Sequence, residues 1–495
     1  MAKISRRKVL AAGAAAAAGI AGGMLGCSYF KKKPQPNIVF IIMDAVRADR
    51  FGMKGPDGRS LTPFLELASS AGTVFTNCVA ASSWTLPSVA GLVTSRNPIV
   101  TGEFYGESYA AGAATLAETL QAAGYYTCAV VKNPWLPVLT ATGEPLPTVV
   151  TKGYDKYSTG AVIMQANPLF AQGIGQEKEF VAFPAAEGAV DEAVEILKAR
   201  GEAEKPFFLY LHFMNTHEPY SPSASEMRLA TAPAVEGIPD YMLFKVIRHR
   251  AKARGKDALA AEDMPLFRRA EALYNAAVAS TDAAIAKLAD TLRKMGAYHN
   301  TAFVVTADHG EEFGGHGWFG HAVTLYQDVL RVPLVMWGAE APQYKTVPST
   351  VRGIDVMPGI LALAGLDKPL TAEGETFPFE KEAQVPREAV SCTVFPALPK
   401  KLDNVSVSLI DKNGRKAILK EGVGTGVVQT SVEIFDTVKD PGERTNVAEA
   451  NAQTAAAMEE RIEEYKSIVR SRGAPEGLTL DEDAIRRLKS LGYMN

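Results

Sequence analysis

Six apolar runs separated by helical patterns constrain the fold of this chain more than any other feature. Ile38–Met43, Thr73–Ala80, Tyr126–Val131, Phe207–Phe213, Ala302–Thr306 and Val332–Trp337 each have the length and side-chain character of a strand. Several are apolar on both faces, as expected of parallel strands covered by helices on either side. Between them, Pro63–Ala71, Ala113–Ala123, Ala189–Ala199, Leu266–Lys294 and Ile354–Ala364 read as helices. This alternation predicts an α/β fold with a doubly wound, mostly parallel central sheet. The 495 residues are too many for one small core and suit a large domain with an appendage.

The character changes after about residue 381. Val405–Leu409, Lys416–Leu419 and Val432–Phe435 read as short strands between charged turns, and Ala452–Ser471 and Asp481–Leu491 as terminal helices. The expected organisation is a main α/β domain over 37–380 and a small C-terminal α+β subdomain with an antiparallel sheet over 381–495. Leu136 to Gln176 has weak periodicity and several Gly and Pro, and its place is left open.

The first 27 residues read as a signal and 28–36 as a linker. Ser5-Arg6-Arg7-Lys8 precedes the small and apolar run Ala11 to Leu25, which is shorter than the roughly 20 residues a membrane span needs. The paired arginines fit a twin-arginine export signal, and Met24-Leu25-Gly26-Cys27 is similar to a lipoprotein processing box that would leave Cys27 acylated. An uncleaved anchor, or cleavage without lipid, are the alternatives. Each predicts an exported body, periplasmic or at the cell surface, and the lipid reading places it on a membrane. Lys31 to Lys33 suit either a lipid surface or a solvated spacer.

Formal net charge is −3, and removing the cation-rich signal leaves the body more acidic. That speaks against a nucleic-acid partner, whose binding draws on many Lys and Arg contacts to phosphate. Of the four cysteines, Cys78 and Cys128 fall in strand-like runs and are expected as buried thiols. The absence of CxxC offers no cysteine metal site.

Candidate chemistry sits where strands end. Asp44 follows Ile38–Met43, Asp308 and His309 follow Ala302–Thr306, and Thr85 begins a segment that continues as a helix. Taken singly, Asp44 suits a turn, Thr85 a helix N-cap and Asp308-His309-Gly310-Glu311 a tight turn. Together they can converge, because ligands in open α/β sheets gather outside the carboxyl ends of strands. Two carboxylates, an imidazole and a hydroxyl suit one divalent ion, with zinc or manganese favoured and calcium or magnesium possible. Backbone N–H groups at the start of the Thr85 helix would help hold an anionic ester.

Ordered motifs then identify a resemblance. Asn37 through Asp49, Thr85-Leu86-Pro87-Ser88, Gly124-Tyr125-Tyr126-Thr127, Thr216-His217-Glu218-Pro219-Tyr220 and Thr306-Ala307-Asp308-His309-Gly310-Glu311 carry it, with His316 through Tyr326, Ile354 through Pro358 and Asp440-Pro441-Gly442-Glu443. The chain resembles the sulfatase branch of the alkaline phosphatase superfamily over nearly its whole mature length. The resemblance implies Asp44, Asp308 and His309 as metal ligands, and Thr85 as nucleophile and ligand. It further implies Lys132 as a substrate contact, His217 near the leaving group, and His321 where sulfatases often carry a second lysine. His316 is open between a loop-stabilising residue and a substrate contact. His212 is expected to be packed in the core.

Four departures matter. Thr85 replaces the Cys or Ser that sulfatases oxidise to formylglycine, and its β-methyl prevents formation of an aldehyde. Val89 replaces the Arg of the signature, Ala45 the second of paired acids, and Asn133-Pro134 interrupts a lysine-tryptophan-histidine element. An Asp followed four residues later by His, as two-metal members need, does not occur, so one metal is expected. The leading expectation is a metal-dependent hydrolase of phosphate esters, phosphodiester or phosphomonoester, acting on a small or polymer-linked anionic ester. It would pass through a covalent phosphothreonine, released by water activated at the metal or by His321. The alternatives are a sulfatase acting without formylglycine, a phosphoethanolamine- or glycerol-phosphate-type transferase, and a degenerate anion-binding lipoprotein.

Overall fold

The computed structural model describes residues 35–101, 113–133, 136, 148–159, 163–166, 178–183, 185–201, 205–253, 260–343, 345–379, 387–394, 405–421 and 430–472. The expected signal, Cys27, most of the linker and of the Leu136 to Gln176 stretch, and the helix Asp481–Leu491 lie outside them. No helix among the described residues is long and apolar enough to cross a membrane.

The central sheet contains β1 (Asn37–Met43), β2 (Thr73–Val79), β3 (Tyr126–Val131), β4 (Lys156–Thr159), β5 (Phe207–Phe213), β6 (Thr301–Thr306), β7 (Arg331–Gly338) and β8 (Lys345–Val347). Their order is β8-β2-β7-β6-β1-β5-β3-β4, and the two-residue strand Val351–Arg352 also pairs with β2. All neighbours are parallel except β7, which runs antiparallel to both β2 and β6. An apolar run covered on both faces does not encode direction, so β7 was not distinguishable from the parallel strands by composition. Every residue of β1 and β5 is buried.

Two sets of helices cover the sheet. Helices α1 (Pro63–Ser70), α4 (Ala186–Ala199) and α5 (Met264–Lys294) form one set, and α2 (Thr85–Thr94), α3 (Leu116–Ala122) and α6 (Val356–Leu363) the other. The doubly wound, mostly parallel architecture is therefore present. Cys78 in β2 and Cys128 in β3 are buried free thiols.

Beyond it, β9 (Ala389–Val394), β10 (Val405–Ile410), β11 (Arg415–Glu421) and β12 (Thr430–Asp436) form an antiparallel sheet in chain order, accompanied by α7 (Ala452–Arg472). Its apolar core includes Trp84 and Ile99 from the main domain. The Cys392 amide donates to Ala81 O, the Ser391 hydroxyl to Ala80 O and the Thr393 hydroxyl to Ala322 O. The small sheet thus grips the segment that leads into Thr85.

Helix α1 starts on a buried acid instead of a local cap. Asp282 of α5 accepts the amides of Phe64 and Leu65, each at 2.9 Å. Burial pushes its carboxyl up to about 7 despite those amides, so the folded state favours the proton. A folded value above the unfolded one gives a contribution fully present below about pH 4 and lost as pH rises through about 7. We therefore expect the stability of Asp282→Asn relative to the native chain to rise by a few kcal/mol between pH 4 and 7. Urea midpoints across that range check this, and a pH-independent difference would contradict it.

Candidate active site

Strand register assembles the site. Met43 pairs with Phe213, and Ile42 lies between His212 and Thr306. The carboxyl ends of β1, β5 and β6 are thereby brought side by side, with β3 alongside β5. Asp44 leaves β1 through an amide bonded to Phe213 O at 3.1 Å. Ala45 then turns into the left-handed region, with φ of 58°, which costs a non-glycine residue about 1–2 kcal/mol. That turn aims its N–H at Asp308 Oδ1, 3.1 Å away, while Tyr274 donates to its carbonyl at 2.8 Å.

Thr85 is the first residue of α2, after an extended Trp84 that provides no side-chain cap. Its hydroxyl is directed to the site instead. Thr85 Oγ1 lies 3.2 Å from His309 Nε2 and 3.5 Å from Asp44 Oδ2. His309 Nδ1 donates to Gly310 O at 2.8 Å, leaving the lone pair on Nε2. That nitrogen is 3.7 Å from Asp44 Oδ1 and 3.6 Å from Asp308 Oδ2. Both oxygens are buried and have no hydrogen-bond partner. Asp308 Oδ1, by contrast, accepts the amides of Ala45 and His309.

The structure therefore brings Asp44, Thr85, Asp308 and His309 together, with buried electron-pair donors facing one another. Such an array is costly unless a cation lies among the donors. The donor set of two carboxylate oxygens, one imidazole nitrogen and one hydroxyl fits a divalent ion of the zinc or manganese kind. Asp44, His212 and Asp308 also present ligand atoms within 4.8 Å of one another. His212 is nonetheless the weaker ligand candidate. Its Nε2 is 2.8 Å from Asp44 Oδ2 and its Nδ1 is 2.8 Å from the Tyr210 hydroxyl, so both nitrogens are engaged.

Asn133, which follows β3, donates to Asp44 Oδ2 at 2.8 Å, and the Thr216 hydroxyl donates to Asp44 O at 2.5 Å. Burial alone would raise the Asp44 carboxyl. The His212 hydrogen bond and the fields of His217, His212 and His309 hold it below the usual carboxylate range. Asp308 moves the other way, raised by burial and by Asp44 beside it.

His217 and His321 lie next to this cage. The His321 ring centroid is 4.5 Å from that of His309 and 4.8 Å from that of His217. His321 Nδ1 contacts Glu311 Oε1 at 2.9 Å, and His217 Nδ1 donates to Glu218 O at 2.7 Å. Both rings are buried, yet they lean in opposite directions. Burial lowers His217, but the Glu218 and Asp44 carboxylates overcome it and raise the ring's pKa. Burial and the neighbouring His309 and His217 rings hold His321 well below the usual value.

Lys132 follows β3 but is paired with Glu192 of α4 at 2.5 Å. The contacts of His316 place it elsewhere. It donates to Gly442 O at 3.1 Å, stacks on Tyr326 with centroids 3.6 Å apart, and has Nδ1 3.5 Å from Glu312. These are the contacts of a loop-stabilising residue, one of the two roles open to it from sequence. Asn133, His212, Glu218 and Glu311 enter the site although sequence reasoning assigned them no part. Glu218 and Glu311 lie inside the motifs that carried the resemblance. Asn133 stands at a departure from the family pattern, and His212 was hidden in an apolar strand.

The profile of the sulfatase family matches residues 36–366. The chain belongs to the sulfatase family. It is a hydrolase acting on ester bonds. The arylsulfatase of Clostridium perfringens is 24% identical over 383 residues, covering 69% of this chain and 77% of that protein. The ulvan-active sulfatase of Formosa agariphila is 24% identical over 371 residues, covering 73% and 68% respectively. The phosphonate monoester hydrolase of Silicibacter pomeroyi shares the fold at a TM-score of 0.64 and 18% identity, over 90% of this chain and 97% of that chain.

Proposed function

We propose that this sulfatase-family protein is a metal-dependent hydrolase of phosphate esters that works through a covalent phosphothreonine at position 85. The observation that carries this reading is the Thr85 hydroxyl, 3.2 Å from His309 Nε2 and facing the unpartnered oxygens of Asp44 and Asp308. Asp44, Asp308, His309 and Thr85 would hold one divalent ion, zinc or manganese in the first instance, which would lower the pKa of the hydroxyl and stabilise developing negative charge. Thr85 Oγ forms a bond to phosphorus as the bond to the leaving alcohol breaks. Water then attacks the same phosphorus and returns the hydroxyl to Thr85. The buried start of α2 directs backbone N–H groups toward the anionic group. In this reading His217 would stand near the leaving group, Lys132 would contact the substrate, and His321 would activate the attacking water.

Intact-mass measurement after mixing with an aryl phosphate tests it, with a phosphoryl adduct mapped to Thr85 as the expected result. Matched aryl sulfate and aryl phosphate esters test the substrate class. Equal or better sulfate turnover with no phosphoryl adduct would favour the sulfatase reading, which the two named relatives recommend. Transfer of the same group to an added alcohol would indicate a transferase.

The export reading belongs to the same proposal, with the body held at a membrane by acylated Cys27. Cys27→Ser is expected to move the protein from the membrane fraction to the soluble fraction without changing turnover. An unaltered distribution would rule out the lipid anchor.

A further inference from the structure

The wall beside His217 and His321 contains a cation that the reading above does not use. The helix Leu243–Ala253 packs on the short hairpin formed by Glu312–Phe313 and Phe319–Gly320, directly before His321. Phe244 of that helix lies against Phe319, with ring centroids 5.4 Å apart. It also lies against Gly320, whose φ is 102°. A Cβ at Gly320 would be 2.7 Å from Phe244 Cε2 and 3.8 Å from Glu311 Oε1, so a side chain there would push the helix away from the site. One turn further on, the Arg248 guanidinium lies 5.4 Å from the Phe244 ring centroid and 6.0 Å from that of Trp318, the residue before Phe319. Both distances are within cation–π reach. Phe244 is buried, whereas Arg248 and Trp318 are half-buried, which puts the cation at the edge of the site.

Its charge is felt inward. Arg248 favours the carboxylate form of Glu218 and disfavours a proton on His321, and both of those side chains are buried. Glu218 itself turns to the rings, with Oε2 3.3 Å from His217 Nδ1 and 3.8 Å from His321 Nδ1. Two other cations near the site are committed to acids, Lys132 to Glu192 and Arg47 to Asp49 and Asp328. Asp44, Asp308, Glu218 and Glu311 are buried acids that would repel further negative charge on a substrate. A second anion on the substrate therefore needs a cation to receive it, and on the His217 side Arg248 is placed to do so. Arginine suits the task, since its planar fork presents paired donors to a carboxylate and stacks on aromatic faces at the same time.

We propose that Arg248, seated on Phe244 and Trp318, sets substrate preference by binding an anionic group carried on the leaving alcohol of the ester. The inference deepens the ester-hydrolase reading above and rests on its placement of His217 near the leaving group. Glu218 joins the two, since it follows His217 in the chain and lies within the field of Arg248. The half-buried Trp318 ring forms the wall beside the bound group. A contact of this kind is the same before and during bond breaking, so it acts on KM and leaves kcat to the Thr85 cage. A neutral leaving alcohol gains nothing from it.

Two aryl phosphates that differ only in the second group test this on the full chain: 3-carboxyphenyl phosphate and the similarly shaped, neutral 3-carbamoylphenyl phosphate. The native chain is expected to show a KM about tenfold lower for the carboxylate, the scale of one charge-assisted pair at a half-buried site. That ratio is expected to fall to near one in Arg248→Gln and to an intermediate value in Arg248→Lys. Arg248→Met, which keeps an apolar stem over the rings, is the second variant should Arg248→Gln fail to fold, with circular dichroism as the check. A native ratio near one overturns the proposal. So does a ratio that survives loss of the charge, including the case in which both KM values rise together, as a packing role alone would give. The phosphate reading fails separately, because matched aryl sulfates carry the same two groups and report the same ratio if sulfate is the ester cleaved. Should no ester turn over, calorimetric binding of 3-carboxybenzylphosphonate against 3-carbamoylbenzylphosphonate measures the preference at equilibrium, and no preference there overturns the proposal as well.

Discussion

Thr85→Ala is expected to lower turnover of an aryl phosphate by roughly 10⁴-fold or more, the scale seen when a nucleophile acting as part of a unit is removed. The size follows from two losses at one atom. The substitution deletes the oxygen proposed to form the bond to phosphorus, and it removes one donor from the set made by Asp44, Asp308 and His309. It leaves the fold largely alone, because Thr85 caps nothing and its Cβ remains to pack at the start of α2. Thr85→Ser keeps the hydroxyl and is expected to retain turnover within about tenfold, a loss near 1.4 kcal/mol. Steady-state kinetics on both variants, with circular dichroism to confirm folding, decide the matter. Full turnover in Thr85→Ala would mean that water attacks the ester directly, and the covalent step would have to be abandoned.

Legibility differed sharply between fold and site. Strands such as Phe207–Phe213 declared themselves because an apolar run of that length, covered on both faces, has few other places in a fold. The antiparallel course of β7 did not, since direction depends on connections that composition does not record. Strand β9 was missed as well, for Ala389–Val394 is short and alternates serine and threonine with apolar residues against its neighbour β10. Lys156–Thr159 and Lys345–Val347 are brief edge strands of the kind that leave little pattern. In the site, Asp44, Thr85, Asp308 and His309 were readable because each lies at a strand end or helix start, and the register then joined them. Asn133, His212, Glu218 and Glu311 act across elements, and their partners are fixed only when β1, β3, β5 and the loops after β6 come together.

The C-terminal sheet is more than an appendage, and a fully buried ion pair there predicts a large stability effect. Lys416 of β11 and Glu443 are both fully buried, with Nζ 2.7 Å from Oε1. Neither atom makes a hydrogen bond there, so the contact is a charge pair at poor angle. Glu443 Oε2 accepts the Gln327 amide at 2.5 Å, at the start of the short helix that holds Asp328, which in turn pairs with Arg47. Burial lowers the Lys416 ammonium, and Glu443 only partly offsets it. Lys416→Ala removes the cation and strands a buried carboxylate, a change that destabilises by about 3–5 kcal/mol. A substantially lower urea midpoint is the expected result. The double variant Lys416→Met with Glu443→Leu removes both charges at similar volume and is expected to recover most of that loss. It does not restore the Gln327 contact, so its turnover should stay below that of the native chain even as stability returns. If Lys416→Ala unfolds at the native midpoint, Glu443 must take up a proton or reach water, and the pair is not what holds the small sheet to the Asp328 segment.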